Sequence, residues 1–136
     1  MTITELADQL FSAIESGDRA TVERMWSPAI AVWRTDGRRD PTTCDDKPRA
    51  LRVIDWFISE TATRGYEILD RRVFEDGFVQ QHVLHATGHG GQGIAMRVCI
   101  VIKLDTEGLI DHIDEYFNPA DLAPLLSSDT IRRDPR

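Results

Sequence analysis

The sequence is short of the features that define several large functional classes. Its two cysteines, Cys44 and Cys99, are too few for a disulfide-built secreted domain, which carries four to eight at tight spacing. Cys44 sits in a polar Thr-Thr-Cys-Asp-Asp stretch and Cys99 in an apolar run. Both are therefore expected as free thiols in a reducing cytoplasm, Cys99 as a buried structural thiol rather than a nucleophile. Long apolar runs are also missing. The longest, Val98-Cys-Ile-Val-Ile102, falls far short of the ~20 residues that span a bilayer. The start, Met1-Thr-Ile-Thr-Glu5, has neither the basic nor the apolar region of a signal peptide, so none is expected. Positive charge is scarce: 16 Lys and Arg face 23 Asp and Glu, for a net charge of −7. A nucleic-acid binder needs a basic face to neutralise phosphate, so this function is not expected, nor is binding to an anionic membrane surface.

Other absences concern chemistry. There is no internal repeat, no serine nucleophile elbow and no phosphate-binding loop. His82 and His85 are three apart, which on a strand puts them on opposite faces, and His89 lies in a glycine-rich stretch. No metal site is expected from this spacing. Gly88-His-Gly-Gly-Gln-Gly93 matches the letters of a dinucleotide fingerprint. That fingerprint must follow a strand and open a helix, whereas an Ile-Ala-Met-Arg-Val strand follows here. The glycines read as a hairpin tip, and no cofactor is expected.

What remains is 136 residues, 41% hydrophobic and 29% charged. This is the composition of an ordinary globular chain and the length of one domain. A chain of this size buries about two-thirds of the surface its unfolded form exposes. Thr2-Ile-Thr-Glu5 fits a capping box, and Leu6, Leu10, Phe11 and Ile14 form the apolar stripe of a first helix. Asp18 caps a short second helix with Val22, Met25 and Trp26 on its apolar face, and Pro28 stops it. Ile30–Trp33 reads as a short strand, and residues 35–46, with Gly37, Pro41 and several Asp, as a loop. Asp46 and Pro48 open a third helix carrying Leu51, Ile54, Phe57 and Ile58 and running to about Arg64-Gly65. Strands Tyr66–Glu75 and Phe78–Thr87 flank Asp76-Gly77, a strong hairpin signal. Strands Ile94–Leu104 and Leu109–Phe117 follow, joined by a turn at residues 105–108. A short helical tail starts at Asn118-Pro-Ala-Asp121, and residues 127–136 read as a frayed end. Helices first and hairpins later define an α+β fold.

This order, with particular motifs, resembles the nuclear transport factor 2-like superfamily. Leu10-Phe-Ser-Ala-Ile-Glu-Ser-Gly-Asp18 is similar to its first helix and turn. Val22-Glu-Arg-Met-Trp26 and Ala31-Val-Trp-Arg34 are similar to its second helix and first strand. Residues 106–119, Thr-Glu-Gly-Leu-Ile-Asp-His-Ile-Asp-Glu-Tyr-Phe-Asn-Pro, resemble the last strand of its SnoaL-like polyketide cyclase and limonene-epoxide-hydrolase branches. The resemblance implies a single domain over residues 1–126. It would be a cystatin-like cone, or α+β barrel, in which a curved antiparallel sheet wraps three helices and encloses an apolar pocket. It also implies a small hydrophobic ligand of polyketide, steroid or terpenoid type, and a homodimer paired through the outer sheet face.

Fold does not give function, so the site is read residue by residue. The ketosteroid-isomerase positions hold Arg34, Leu10 and about Ile100 instead of Asp, Tyr and Asp. The epoxide-hydrolase positions hold Val32 and Arg34, then His82-Val-Leu84, then Glu115. Both sets are lost, and a single pocket acid/base, as in the cyclase branch, is the pattern least violated. Alternation along the last strand, with the resemblance, turns Ile113, Glu115 and Phe117 inward and Asp114 outward, with Asp114 held in reserve should a bulge exchange the faces. His82 and Leu84 share a face of the hairpin strand. Glu115 and His82 are thus the expected acid/base pair, open also to being a structural ion pair. Arg34 is expected either to orient a substrate oxygen or to pair with Asp36 or Asp40. Trp33, Asp36, Trp56, Leu84, Ile100, Ile113 and Phe117 complete the expected pocket. The expectation is a cofactor-independent cyclase, isomerase or dehydratase, or else a non-catalytic binding or dimerisation domain of the same fold.

Overall fold

A computed structural model describes residues 1–126; the expected frayed end at 127–136 lies outside the described residues. Helix α1 (Ile3–Ser16) begins at the Thr2–Glu5 capping box and stops at Gly17, whose φ of +74° is a conformation other residues rarely adopt. Asp18 then accepts from the Thr21 amide and hydroxyl to start α2 (Arg19–Met25). Trp26, expected on that helix, instead begins β1 (Trp26–Arg34). β1 is longer than expected because Pro28, which ends the helix, is tolerated on an edge strand, where its missing N–H goes unused. Asp46 caps α3 (Lys47–Glu60) with Pro48 in its first turn. This helix stops at Glu60 rather than near Gly65. Thr61–Gly65 instead opens β2 (Thr61–Phe74), pairing with the end of β3 (Gly77–Gly88). β4 (Gly93–Leu104) and β5 (Ile110–Phe117) complete the sheet, and a 3₁₀ turn follows at Pro119–Leu122.

The chain is α+β, as expected. The sheet is mixed rather than wholly antiparallel: its order is β1-β5-β4-β3-β2, and β1 pairs with β5 in parallel. It is open, with β1 and β2 as its edges. At the Asp76-Gly77 hairpin, a Cβ on Gly77 would collide with the Ile102 carbonyl, so only glycine fits there.

One sheet face carries the core. Phe78, Leu84 and Ala86 of β3 and Met96, Val98, Ile100 and Ile102 of β4 pack with Leu10, Phe11 and Ile14 of α1 and Leu51, Ile54 and Phe57 of α3. Each large aliphatic side chain buried here stabilises the fold by about 1.5–3 kcal/mol. On β5 the alternation slips. Ile110 is fully buried although parity from Ile113 would turn it outward, because a register shift between Lys103 and Leu104 leaves Asp111 unpaired. Cys99, expected in the core, is half-buried on the opposite face beside Tyr116, and Cys44 is exposed.

Candidate active site

Between the helices and the sheet lies a cavity of about 110 Å³. Leu10, Phe11 and Ile14 line it from α1, Ile54 and Phe57 from α3, and Leu84, Met96 and Ile100 from the sheet. Trp56, Phe117, Leu122 and Val53, all partly exposed, lie along it and mark its mouth. Two charged side chains reach this apolar space, Arg34 and Glu115.

The parallel register of β1 and β5 sets Arg34 beside Glu115. Thr35 locks that end of the pair: its hydroxyl donates to the Phe117 carbonyl at 2.5 Å and accepts from the Phe117 amide at 2.7 Å. Arg34 Nε donates to Glu115 Oε1 at 3.0 Å, and Arg34 Nη1 lies 3.7 Å from Asp45 Oδ2. Asp45 is itself fixed by two backbone hydrogen bonds to Val32, at 2.8 and 3.0 Å. Arg38 reaches Asp45 at 3.4 Å, Asp36 at 2.7 Å and the Thr43 carbonyl at 2.6 Å. A chain of alternating charge thus runs from the loop to the pocket: Asp36, Arg38, Asp45, Arg34, Glu115. A buried cation held between two carboxylates keeps both its own geometry and theirs, because any one charge left alone would be poorly solvated.

Tyr66 of β2 completes the polar end of the cavity. It pairs across strands with Leu84, which turns its ring to the cavity side, and its amide donates to Glu15 Oε2 at 2.8 Å. Its ring packs on Phe11 at 4.8 Å. The hydroxyl has no hydrogen-bond partner among the described residues. Burial pushes its pKa well up, and the charges of Glu115 and Glu15 add to this while Arg64 and Arg34 oppose it. Tyr66 is thus a neutral O–H donor, close enough to Glu115 to sense its charge. The sequence reading missed it. Its pairing with Leu84 depends on a register shift between Ile68 and Asp70, which the Asp76-Gly77 turn does not announce.

The structure brings Arg34 and Glu115 together, and places Trp56, Leu84, Ile100, Ile113 and Phe117 on the cavity. It does not bring His82 to Glu115: no hydrogen bond or ion pair joins them among the described residues. His82 is 1% exposed and packed edge-on between Phe11 and Tyr66. Its Nδ1 accepts from Gln80 Nε2 at 2.8 Å, Gln80 Oε1 accepts from Arg71 Nε at 2.7 Å, and Arg71 Nη1 donates to Asp8 at 2.8 Å. Burial, with the charge of Arg71, lowers the imidazole to about 4, so it is neutral near pH 7. Asp36 also lies away from the cavity, paired with Arg38, which holds its carboxyl below the usual range. The expected pairing of Arg34 with Asp36 or Asp40 is replaced by Asp45 and Glu115. Trp33 and Asp114 face the other side of the sheet. There, with Tyr116, Pro41, Thr42 and Cys44, they line a second, open cavity of about 290 Å³. The described residues contain no group of His, Cys, Asp and Glu side chains able to hold a metal ion, and no described helix is long and apolar enough to cross a membrane.

No sequence family matches the chain, and no curated protein does. Solved structures do. IdmH of Streptomyces antibioticus, a candidate polyketide cyclase, superposes with a TM-score of 0.76 at 16% identity, over 93% of this chain and 99% of that one. A nuclear transport factor 2-like protein of unknown function from Burkholderia pseudomallei gives 0.75 at 14% identity, over 93% and 99%. RV0760c of Mycobacterium tuberculosis, solved with estradiol-17β-hemisuccinate, gives 0.73 at 14% identity, over 88% and 95%. At these identities the likeness speaks for architecture: the chain has the nuclear transport factor 2-like fold, shared with SnoaL-like proteins.

Proposed function

We propose that residues 1–126 act as one domain that takes a small hydrophobic molecule of polyketide, steroid or terpenoid type into the cavity and transfers a proton on it without a cofactor. One observation carries this reading. An otherwise apolar cavity contains a carboxyl group fixed by an arginine and a neutral, unpartnered tyrosine hydroxyl. Glu115 would take a proton from carbon next to a carbonyl. The Tyr66 hydroxyl would donate a hydrogen bond to the carbonyl oxygen as negative charge develops there. Arg34 would orient Glu115 and offset the charge at that end. The proton then returns from Glu115 to another atom of the same molecule, as an isomerisation or an aldol-type cyclisation requires. Acid/base catalysis of this kind contributes about 10²–10⁴ in rate. The names of the architectural relatives, a candidate polyketide cyclase and a steroid-ester complex, are consistent with such ligands.

The test needs no native substrate. A bicyclic ketone, 2-tetralone, is incubated with the protein in D₂O, and deuterium uptake next to the carbonyl is followed by NMR. Binding is measured separately from Trp fluorescence. The expected result is accelerated exchange in the native protein and loss of that acceleration in Glu115→Gln with binding retained. Binding without exchange would instead support the non-catalytic reading, which the direct Arg34–Glu115 pair favours because Glu115 already has a partner within the chain.

The finer statements on assembly belong here too. The outer sheet face carries half-buried Val79, Val83, Cys99 and Val101, with no described helix over it, which supports a homodimer paired through that face. Light scattering of the native protein and of Val101→Glu checks this, the variant being expected as a monomer. Free thiols at Cys44 and Cys99 suit a reducing cytoplasm.

A further inference from the structure

The second cavity lies on the outer side of β1 and β5, against the loop of residues 35–46. It shares no lining residue with the cavity that holds Glu115. Two of its walls are aromatic: the rings of Trp33 and Tyr116 stand 5.0 Å apart, inclined at 57°, so they form a corner rather than a stack. Pro41 and Thr42 close a third side, and Cys44 adds a polarisable thiol. Among the described residues, the one charged residue lining it is Asp114. His112 Nε2 bonds Asp114 Oδ1 at 2.9 Å and so holds the carboxylate in place. The other carboxylate oxygen has no partner among the described residues.

Aromatic faces present the negative side of their quadrupole, and a cation within about 6 Å of a ring centroid is drawn to it. A carboxylate in the same corner adds a full opposite charge. No Arg or Lys lines the space to repel a cation or to neutralise Asp114, and the chain as a whole carries −7. We infer that this outer corner is a binding site for an organic ammonium ion, an alkylated amine carried by a small molecule. Trp33 and Tyr116 supply the cation–π walls, and Asp114 the counter-charge. An inorganic cation would keep its water and gain little from the rings. A neutral ligand of the same shape would gain only the contact area. The inference does not rest on the proposed proton transfer, since no residue is common to the two cavities; Tyr116 and Asp114 do neighbour Cys99 and Val101 across the strands, so it requires the proposed dimer contact to stay on β3 and β4 and to leave the β1–β5 corner open.

The experiment titrates the full chain with tetramethylammonium and, as a neutral isostere, neopentyl alcohol, at mildly alkaline pH. The readout is the Trp33 indole N–H resonance, assigned by its absence in Trp33→Phe. Saturable movement with tetramethylammonium and none with the alcohol is expected. Asp114→Asn should weaken binding about fivefold, and Tyr116→Leu by a similar factor, the worth of one exposed cation–π or charge contact. A second measurement leaves the chain unmutated: tetramethylammonium should slow alkylation of Cys44 by iodoacetamide, while the alcohol should not. Equal binding of the isostere, an unchanged affinity in Asp114→Asn, or no saturable shift would each overturn the inference.

Discussion

Neighbouring residues of β1 and β5 build two unlike places on opposite sides of one sheet. Arg34 and Glu115 enter an enclosed cavity with the Tyr66 hydroxyl, while Trp33, Asp114 and Tyr116 form an open corner. Both places hold a carboxylate and aromatic rings, so composition does not separate them. The surroundings do. Inside, Glu115 is bonded to a buried arginine in a low-dielectric space, where a charge is costly to leave alone. Outside, Asp114 accepts from the ring nitrogen Nε2 of half-exposed His112, and water does the rest. One strand thus offers two chemistries one residue apart, and the pleat decides which residue gets which.

The sharpest way to break this contrast is to remove the inner cation. Arg34→Met leaves Glu115 and Asp45 near each other with no cation between them. Unfolding free energy in urea should drop by about 3–5 kcal/mol. A drop under 1 kcal/mol would make the inner pair no different from a surface one.

The next effect is read by pH. Burial, with the charge of Arg71, lowers the folded pKa of His82 to about 4, against an ordinary value of 6.5. Above the unfolded value both states are neutral and the group contributes nothing. As pH falls from 6.5 toward 4 the unfolded state takes up a proton that the folded state refuses, so stability falls, by roughly 3 kcal/mol in all. His82→Leu should lose this part of the slope. Urea midpoints of both proteins between pH 7 and 4 check it. Identical slopes would mean that the imidazole is not sealed.

Smaller effects follow. Tyr66→Phe removes only an unpartnered hydroxyl, so stability should change by less than about 1 kcal/mol, whereas tetralone exchange should slow at least about tenfold. Exchange at the native rate would remove Tyr66 from the mechanism. Last, Asp114→Asn keeps the shape of the side chain and its bond to His112, so stability should shift within about 0.5 kcal/mol. A cost matching that of Arg34→Met would erase the inner–outer contrast.

Much of this was readable in the sequence, for local reasons. Asp18, Asp46 and the Thr2–Glu5 box declare helix starts because their partners lie within three residues. Asp76-Gly77 fixes a hairpin, and strand parity correctly turned Glu115 and Phe117 toward the cavity. Parity also forbids Trp33 and Arg34 from sharing a pocket, and naming both as pocket residues overlooked that. It gives a face, not a depth. His82 and Leu84 share the inward side of β3, yet His82 lies under Phe11 and only Leu84 reaches the cavity. The end of α3 was misplaced because Thr61–Gly65 has no apolar pattern of its own, and β3 decides its state. The Asp111 irregularity is a register slip inside the β4–β5 hairpin, and the role of Asp45 comes from an isolated bridge to Val32 across the loop; neither carries a residue pattern of its own.

The parallel join of β1 to β5 has a consequence for the order of events during folding. Arg34 and Glu115 are 81 residues apart, and β2, β3 and β4 all lie between them in the chain. Closing so long a loop is slow, since its entropy cost comes before any contact rewards it. Until β5 arrives, the first strand is an unclaimed edge and its arginine a charge without a home. The polar end of the cavity therefore joins a strand from the first quarter of the chain to one from its end, and no fragment that lacks β5 can contain it.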